Sequence, residues 1–376
     1  MKKRVRILFT IPNFNTAGSG IHLLSIIKEL DLVSYDPQIA CIHDNGVLFE
    51  QVKNANIPFH LIRFYVKARP LVKMLYECYR LSKIFKKIDP DIIHSYNYSA
   101  DYTEAIAAKM AGIKWIYTKK NMSWKGPSYG GWRLRTFLAD GIIAQNADML
   151  DHFFNNNRKV KLIPMGINID EYKKKPINVD VLKKWNIKKN TRIIISVANL
   201  IPAKGLEILI KAFESLCFDY TNWNLIIVGS DKSNYALDLK KYVNNRYILK
   251  NRVLFTGVQN NIRELLDVSE IYVQPTLDVG GGEGGPVATI EAMANSKVVI
   301  GSNIPGIRNQ LLDNFSEHLF SAGSIDDLKN KLITFMKNDI NINNNIGKNF
   351  YNFVEKSFNI ITQKNRTELF YHDILS

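Results

Sequence analysis

Apolar positions along the chain alternate between two periods. RVRILFTI (4–11) is a short apolar run of the strand type, and IHLLSIIKEL (21–30) follows with apolar residues at helical spacing. QIACIH, FHLIRF, DIIHSY, KWIYT and GIIAQ read as further short buried strands, with helical segments between most of them. A second series opens with the strand RIIISVAN (192–199) and the helix LEILIKAFESL (206–216), and continues with LIIVGS, VLFTGV, IYVQPT and KVVIGS. Apolar strands alternating with helices predict parallel sheets covered on both faces. Two such series in 376 residues predict two domains. The expected class is α/β, with two Rossmann-like domains whose parallel sheets face each other across a cleft. The seam falls near LIPMGINIDEYKKKP (162–176), which puts the domains at 1–168 and 169–354, with a C-terminal helix at about 355–376 packing back onto the first. The segment NDININNNIGKN (338–349) is low in complexity and reads as a loop or a poor helix.

Composition narrows the class. With 46% hydrophobic and 23% charged residues, the chain has the make-up of a globular protein. No run approaches the ~18 apolar residues of a membrane span. Near the start, ILFTI is interrupted by Pro12 and Asn13, too early for a secretory signal core. Cys41, Cys78 and Cys217 are odd in number and lack metal-site spacing, so they read as reduced thiols. A cytoplasmic protein is expected. The net charge of +15 is uneven, with 24 Lys and Arg against 14 Asp and Glu in residues 1–170. A basic excess favours an anionic partner: nucleic acid, an anionic membrane surface or a phosphorylated substrate.

Parallel sheets bind ligands at the carboxyl ends of their strands, which selects the loops that matter. After the first strand comes PNFNTAGSGIH, where Gly18 and Gly20 allow close backbone approach; it is a GxG without the third glycine of a dinucleotide fingerprint, and an ordinary glycine turn is the alternative. After IYVQPT comes LDVGGGEGG, and a helix begins near Pro286, well placed at a first helical position. The amides of Val287, Ala288 and Thr289, with the helix dipole, form an anion site suited to a diphosphate. At ~100° per residue, Glu291 falls about 40° from Val287, at the edge of the apolar arc. A carboxylate half turned toward a core needs donors, and the vicinal hydroxyls of a ribose would supply them. Glu283, on the bare loop, is free to accept from sugar hydroxyls. The alternative is a solvated Glu283 and a Glu291 paired with a lysine.

EGGPVATIEAMANSKVVIGSNIPGIRNQL (283–311) resembles the donor-site signature of the retaining GT-B glycosyltransferases of family 4: Glu, seven residues, Glu, then Ala-Met-Ala and a strand. LIPMGINIDEY, SVANLIPAKGLEILIKAF, LIIVGSD and VLFTGVQNNIRELLDVSEIYVQPT are similar to further family segments, and TAGSGIHLL and ADGIIAQNADML to weaker N-terminal motifs. The resemblance implies a GT-B fold and a sugar transfer without metal or other cofactor. It implies that Glu291 holds the nucleotide ribose, and that Glu283, with the amides around Gly284 and Gly285, holds the donor sugar and distal phosphate. Lys204 would neutralise the diphosphate, and the backbone near Val258 would contact the base. Two positions depart from the pattern. Asn199 stands where the family usually has a second diphosphate cation, with Arg308 a nearby substitute, and Lys119, Lys120 and Asn121 occupy a strand end where many members have a histidine. Asp89-Pro90-Asp91 is the one Asp-x-Asp, and it opens a strand rather than ending one.

On the acceptor side, His94 follows DII and faces the cleft by the strand-end rule, to contact acceptor or donor sugar; a satisfied polar residue at a strand end is the alternative. TKKNMSWKGPSYGGWRLR (118–135) mixes five basic residues with Trp124, Tyr129 and Trp132, a composition suited to a sugar, a lipid-phosphate carrier or single-stranded nucleic acid; a long loop with ordinary surface residues is the alternative. LVKMLYECYRLSKIFKK (71–87) is amphipathic, with Leu71, Met74, Leu75, Cys78, Leu81 and Phe85 on one face and Lys73, Arg80, Lys83 and Lys87 opposite. It packs on its sheet, and its basic face is compatible with weak contact to an anionic membrane surface. Together these features predict a retaining, metal-independent glycosyltransferase that moves a sugar from a nucleotide diphosphate donor to a saccharide or lipid-linked saccharide. Catalytic roles fall to Glu283, Lys204 and His94. The rivals are a nucleotide-sugar epimerase or hydrolase, a catalytically silent assembly partner, and a basic nucleic-acid module, for which no recognisable motif is present.

Overall fold

The computed structural model describes residues 4–15, 17–45, 48–123, 129–155, 157–279 and 283–376. The chain divides into two units, residues 1–166 with 360–376, and residues 167–359. In the first, β1 (Val5–Thr10), β2 (Tyr35–Cys41), β3 (Phe59–Leu61), β4 (Ile92–Ser95), β5 (Lys114–Lys119), β6 (Gly141–Ala144) and β7 (Val160–Leu162) form one sheet in the order β3-β2-β1-β4-β5-β6-β7. In the second, β8 (Arg192–Val197), β9 (Trp223–Val228), β10 (Val253–Gly257), β11 (Ile271–Gln274), β12 (Val298–Ser302) and β13 (Leu319–Phe320) run in the order β10-β9-β8-β11-β12-β13. Every pairing is parallel. The edge strands β7 and β13 escape the sequence reading because two or three residues are too few to show a period.

The parallel register explains why the strands read as unbroken apolar runs. Successive residues point to opposite faces, so a run without polar interruption fills two cores. On β8, Ile193 and Ile195 pack with Ile226, Val228, Tyr272 and Val299, while Ile194 faces away into a second core with Leu225, Ile227, Ile271 and Val273. The first sheet repeats the pattern: Ile7, Phe9, Ile39 and Ile92 line one face, and Leu8, Ala40, Ile93 and Trp115 the other. The three cysteines are buried and free, and burial pushes each thiol up to about 11.

The structure refines two expectations about helices. Of the two readings of the asparagine-rich stretch, loop or poor helix, the helical one holds: it forms the first half of a capped helix, Ile340–Ser357. Asp339 caps it, accepting from the amides of Asn341 at 2.8 Å and Ile342 at 3.1 Å. Asn343 is buried and donates to Glu270 at 2.6 Å and to the Phe335 carbonyl at 2.8 Å, and Phe350 stacks on Phe315 at 3.9 Å. Low complexity hid one buried polar anchor among exposed copies of the same residue. The helix Leu71–Ile88 forms as expected, but its buried face is Met74, Cys78, Leu81, Ser82 and Phe85. Leu71 and Leu75 are exposed.

The helix Ile360–Leu375 belongs with the first unit, where Tyr371 and Phe370 join the core beside β1 and β4. In each sheet the chain leaves its first strand in one direction and returns on that strand's other side, at β1 against β4 and at β8 against β11. Such reversals open crevices at the carboxyl ends of the strands, where ligands bind.

Candidate donor site and its relatives

In the second unit, three loops meet at the carboxyl ends of β8, β11 and β12. The 3₁₀ turn Pro202–Lys204 follows β8, and Gly205 ends it with φ +64°. A Cβ at Gly205 would run into the carbonyl oxygen of Pro275, just beyond β11, and the Leu277 amide donates to the Ala203 carbonyl at 2.9 Å. On the other side Gly306, φ +81°, lies against the backbone of Glu283, where a Cβ would collide with that carbonyl. Both positions therefore require glycine on two counts: left-handed backbone and close approach. The consequence is that Lys204 and Glu283 are held together.

The Lys204 Nζ donates to Glu283 Oε1 in an ion pair, with the two side chains 23% and 16% exposed. Thr276 Oγ1 also donates to that oxygen, at 3.4 Å. Behind it, Gln274 Nε2 donates to Thr276 Oγ1 at 2.9 Å, and the Tyr272 hydroxyl donates to Gln274. Burial pushes the Tyr272 hydroxyl well above its ordinary value, and the carboxylates of Glu291 and Glu283 add to that push. The two glutamates thus share one neighbourhood.

The helix Val287–Ala294 starts at this loop, with Pro286 as its N-cap and not its first helical residue, so it begins one position later than the sequence suggested. No side chain caps it, so the amides at Val287 and Ala288 are not taken by a capping group. Gly284 and Gly285 precede it, Gly285 at φ +145°. One turn into the helix, Glu291 Oε1 accepts from the Tyr172 hydroxyl at 2.6 Å. Tyr172 ends the short helix Ile169–Tyr172, and its carbonyl accepts from Asn295 at 2.7 Å. Burial lifts the Glu291 carboxyl to about 7, with the Tyr172 hydrogen bond working against it. Glu291 is thus partnered by a tyrosine and not by a lysine. Tyr172 itself escaped the sequence reading, because a four-residue helix shows no period and the residue lies 119 positions from its partner. Asn199 follows β8 and is exposed, as is Val258 after β10. Arg308 lies in the first turn of the helix Ile307–Phe315, two residues after Gly306. The positions 280–282 lie outside the described residues.

In the first unit the structure corrects the readings of His94, Lys119 and Gly18. His94 does not face solvent: it is fully buried on β4, with Nδ1 at 2.7 Å from the Tyr371 hydroxyl and Nε2 at 2.8 Å from Thr118 Oγ1. Burial pushes its imidazole down to about 3, so it is neutral with both nitrogens engaged. Lys119 is buried as well, donating to Asn121 Oδ1 at 2.6 Å and the Ser123 carbonyl at 2.9 Å, with the ring of Trp132 at 4.1 Å. Lys119 and Asn121 therefore satisfy each other. Lys120 lies over the Tyr96 ring at 4.3 Å, and burial pushes both lysines down to about 7. Gly18 is not in a loop but in the first turn of the helix Ala17–Glu29, with open space around it. Trp124 lies outside the described residues. Asp89 and Asp91 are engaged by Arg6, whose guanidinium donates to Asp89 at 2.5 Å and whose amide donates to Asp91 at 2.8 Å.

A buried network that sequence did not reveal lies close by. Arg135, fully buried, donates to Ser95 Oγ at 3.0 Å, to the Asn97 carbonyl at 3.2 Å and to the Asp101 carbonyl. Its guanidinium is 4.8 Å from the ring centres of both Trp115 and Tyr117. Glu104, also buried, accepts from Thr10 Oγ1 at 2.5 Å and Ser95 Oγ at 2.6 Å.

Known proteins match this chain over nearly its whole length. The family described as Glycosyltransferase Family 4 matches residues 16–171, and that described as Glycosyl transferases group 1 matches residues 180–353. The UDP-Gal:alpha-D-GlcNAc-diphosphoundecaprenol alpha-1,3-galactosyltransferase of Escherichia coli is 24% identical over 95% of this chain and 94% of its own. The N,N'-diacetylbacillosaminyl-diphospho-undecaprenol alpha-1,3-N-acetylgalactosaminyltransferase of Campylobacter jejuni is 23% identical over 76% of this chain and 78% of its own. Among solved structures, a glycosyltransferase from Rickettsia africae superposes with a TM-score of 0.84 at 19% identity over 99% of both chains. The Anabaena protein HepE, in complex with UDP and glucose, gives 0.81 at 20% identity over 98% of this chain and 100% of its own. With two parallel Rossmann-like sheets and both halves matched, the chain belongs to the family 4 glycosyltransferases of the GT-B fold.

Proposed function

We propose that this enzyme transfers a hexose-type sugar from a UDP-linked donor to a saccharide carried on a lipid diphosphate, with retention at the anomeric carbon and without a metal ion. The observation that carries the donor half is the Lys204–Glu283 pair at the N-terminus of Val287–Ala294, with Glu291 and Tyr172 one turn further on. The acceptor half draws on relatives named for diphospho-undecaprenol acceptors. The choice of uridine draws on the UDP bound to the Anabaena neighbour and on the donor named for the Escherichia coli relative.

In this reading the donor diphosphate displaces Glu283 from Lys204. The lysine and the helix amides then carry the negative charge that grows as the bond between the anomeric carbon and phosphate oxygen breaks. The released Glu283 carboxylate accepts from donor-sugar hydroxyls. The acceptor hydroxyl forms the new bond on the face the diphosphate leaves, and its proton passes to the departing phosphate. Described side chains offer no better-placed nucleophile, since His94 is buried and satisfied. Asp89 and Asp91, held by Arg6 at the start of β4, are not deployed as metal ligands in this scheme. The face of Leu71–Ile88 that exposes Val72, Tyr76 and Tyr79 beside Lys73, Arg80 and Lys83 supports contact with an anionic membrane surface, where a lipid-linked acceptor would lie.

The test is calorimetric titration of UDP without metal. Glu291→Ala is expected to weaken binding by about 10- to 100-fold, the effect of losing hydrogen bonds to a charged acceptor. The pH dependence follows from the raised carboxyl. Below about 7 Glu291 holds a proton, and ribose hydroxyls donate to its ionised form. Binding should therefore release a proton and tighten as pH rises through about 7, and titrations in buffers of different ionisation enthalpy will show it. Wild-type UDP affinity in Glu291→Ala would remove the ribose role.

A further inference from the structure

A cavity of about 630 Å³ opens in the first unit at the carboxyl ends of β1, β2, β3 and β4, astride the reversal between β1 and β4. Arg63 and Lys67, from the segment after β3, lie on its rim. Both are exposed, and among the described residues neither has a hydrogen bond or an ion pair. One carboxylate lines the cavity, that of Asp101. It is turned into the helix Thr103–Ala111, accepting from the Thr103 amide at 3.0 Å and the Thr103 hydroxyl at 2.9 Å. Two cations thus stand against a single carboxylate among the described lining residues, and that carboxylate is drawn toward the helix N-terminus.

Two polar atoms in the lining are buried without a partner: His43 Nδ1 and Asn97 Nδ2. Asn97 is 3% exposed, and its Oδ1 is already used, accepting from the Ser99 amide at 3.1 Å. A buried amide donor left open costs free energy unless something else accepts from it. The cavity thus presents an open amide donor at Asn97 and two basic side chains at its rim. That chemistry suits a group built of acceptor oxygens and negative charge. Tyr98, half exposed beside it, offers a ring face for a sugar.

We propose that this cavity binds the phosphate or diphosphate group of the acceptor, with Arg63, Lys67 and Asn97 as its ligands. The proposal rests on the reading of the chain as an enzyme that glycosylates a phosphorylated saccharide. The phosphate can come from a lipid diphosphate tether or from a free sugar phosphate. Binding to the full chain, with UDP saturating the donor site, separates them: the probes are N-acetylglucosamine, its 1-phosphate, and its farnesyl diphosphate conjugate. Both phosphorylated probes should bind and the unphosphorylated sugar should not. Tighter binding of the farnesyl conjugate would assign the lipid source, and equal binding the phosphate alone. The double variant Arg63→Gln, Lys67→Gln changes exposed side chains only. It should lose about 10- to 100-fold in affinity for the phosphorylated probes, with UDP affinity unchanged and partial recovery in Arg63→Lys. Equal affinity in wild type and double variant would overturn the assignment, as would a UDP-binding protein that takes neither phosphorylated probe. A protein that binds the phosphorylated probes through Arg63 and Lys67 but no nucleotide would instead overturn the proposed transfer and leave this site standing.

Discussion

Lys204→Ala should slow sugar transfer by about 10²–10³-fold, the scale of removing one preorganised donor from a developing anion. The loss should appear mainly in kcat. Without donor, Lys204 is already matched by Glu283, so binding the diphosphate exchanges one anionic partner for another and gains little from this lysine. In the transition state the diphosphate gathers charge, and the exchange then favours it. A donor KM that rises tenfold with kcat untouched would mean that Lys204 serves binding alone. Turnover near wild type would remove it from the mechanism. Glu283→Gln makes the complementary case: it leaves the lysine unopposed for the phosphate but weakens acceptance from sugar hydroxyls. Discrimination between donor sugars should fall more than nucleotide affinity. Both side chains reach solvent, so neither change should threaten the fold.

The sequence made the donor loop legible because its chemistry is local. Glycines, a proline and two glutamates lie within twelve positions, and the helix that follows is long enough to show its period. It failed where side-chain direction decides. The strand-end rule turned His94 toward the cleft, but a place near the end of β4 does not fix which way the side chain points. Side chains two apart share a face, and Ile92 lies in the core with Ile116, so His94 points into that same core. Its partner Tyr371 is 277 residues away, on a helix whose docking no local pattern reveals. The same reason hid Tyr172, and it hid the cavity of Arg63 and Asn97, which four separate loops assemble. Lys119 misled differently: a basic residue at a strand end suggests a ligand site, but its ammonium is spent on Asn121 and the Ser123 carbonyl beside the Trp132 ring.

Arg135→Met should destabilise the first unit by about 3–5 kcal/mol, the usual consequence of removing one member of a buried charged network. The methionine can fill the volume against Trp115 and Tyr117, but it cannot donate. Ser95 Oγ would lose one donor, and the carbonyls of Asn97 and Asp101 would lose theirs. Hydrogen exchange resolves the effect by unit: peptides from 1–166 should exchange faster, while those from 167–359 keep their protection. Uniform acceleration across the chain would contradict a local role. Glu104→Gln separates charge from hydrogen bonding. Burial lifts the Glu104 carboxyl from 4.5 to about 7, with Arg135 opposing the shift. Between those values the folded chain holds a proton that the unfolded chain has released, so wild-type stability should fall as pH rises from about 4.5 to about 7. Glutamine cannot titrate, and the variant should lose that slope while keeping most of the stability at low pH. Because Arg135 also fixes the two carbonyls that shape the loop after β4, Arg135→Met should weaken phosphate binding in the neighbouring cavity under conditions where the unit is still folded. Phosphate affinity unchanged in the folded variant would show that the loop holds its shape without the guanidinium.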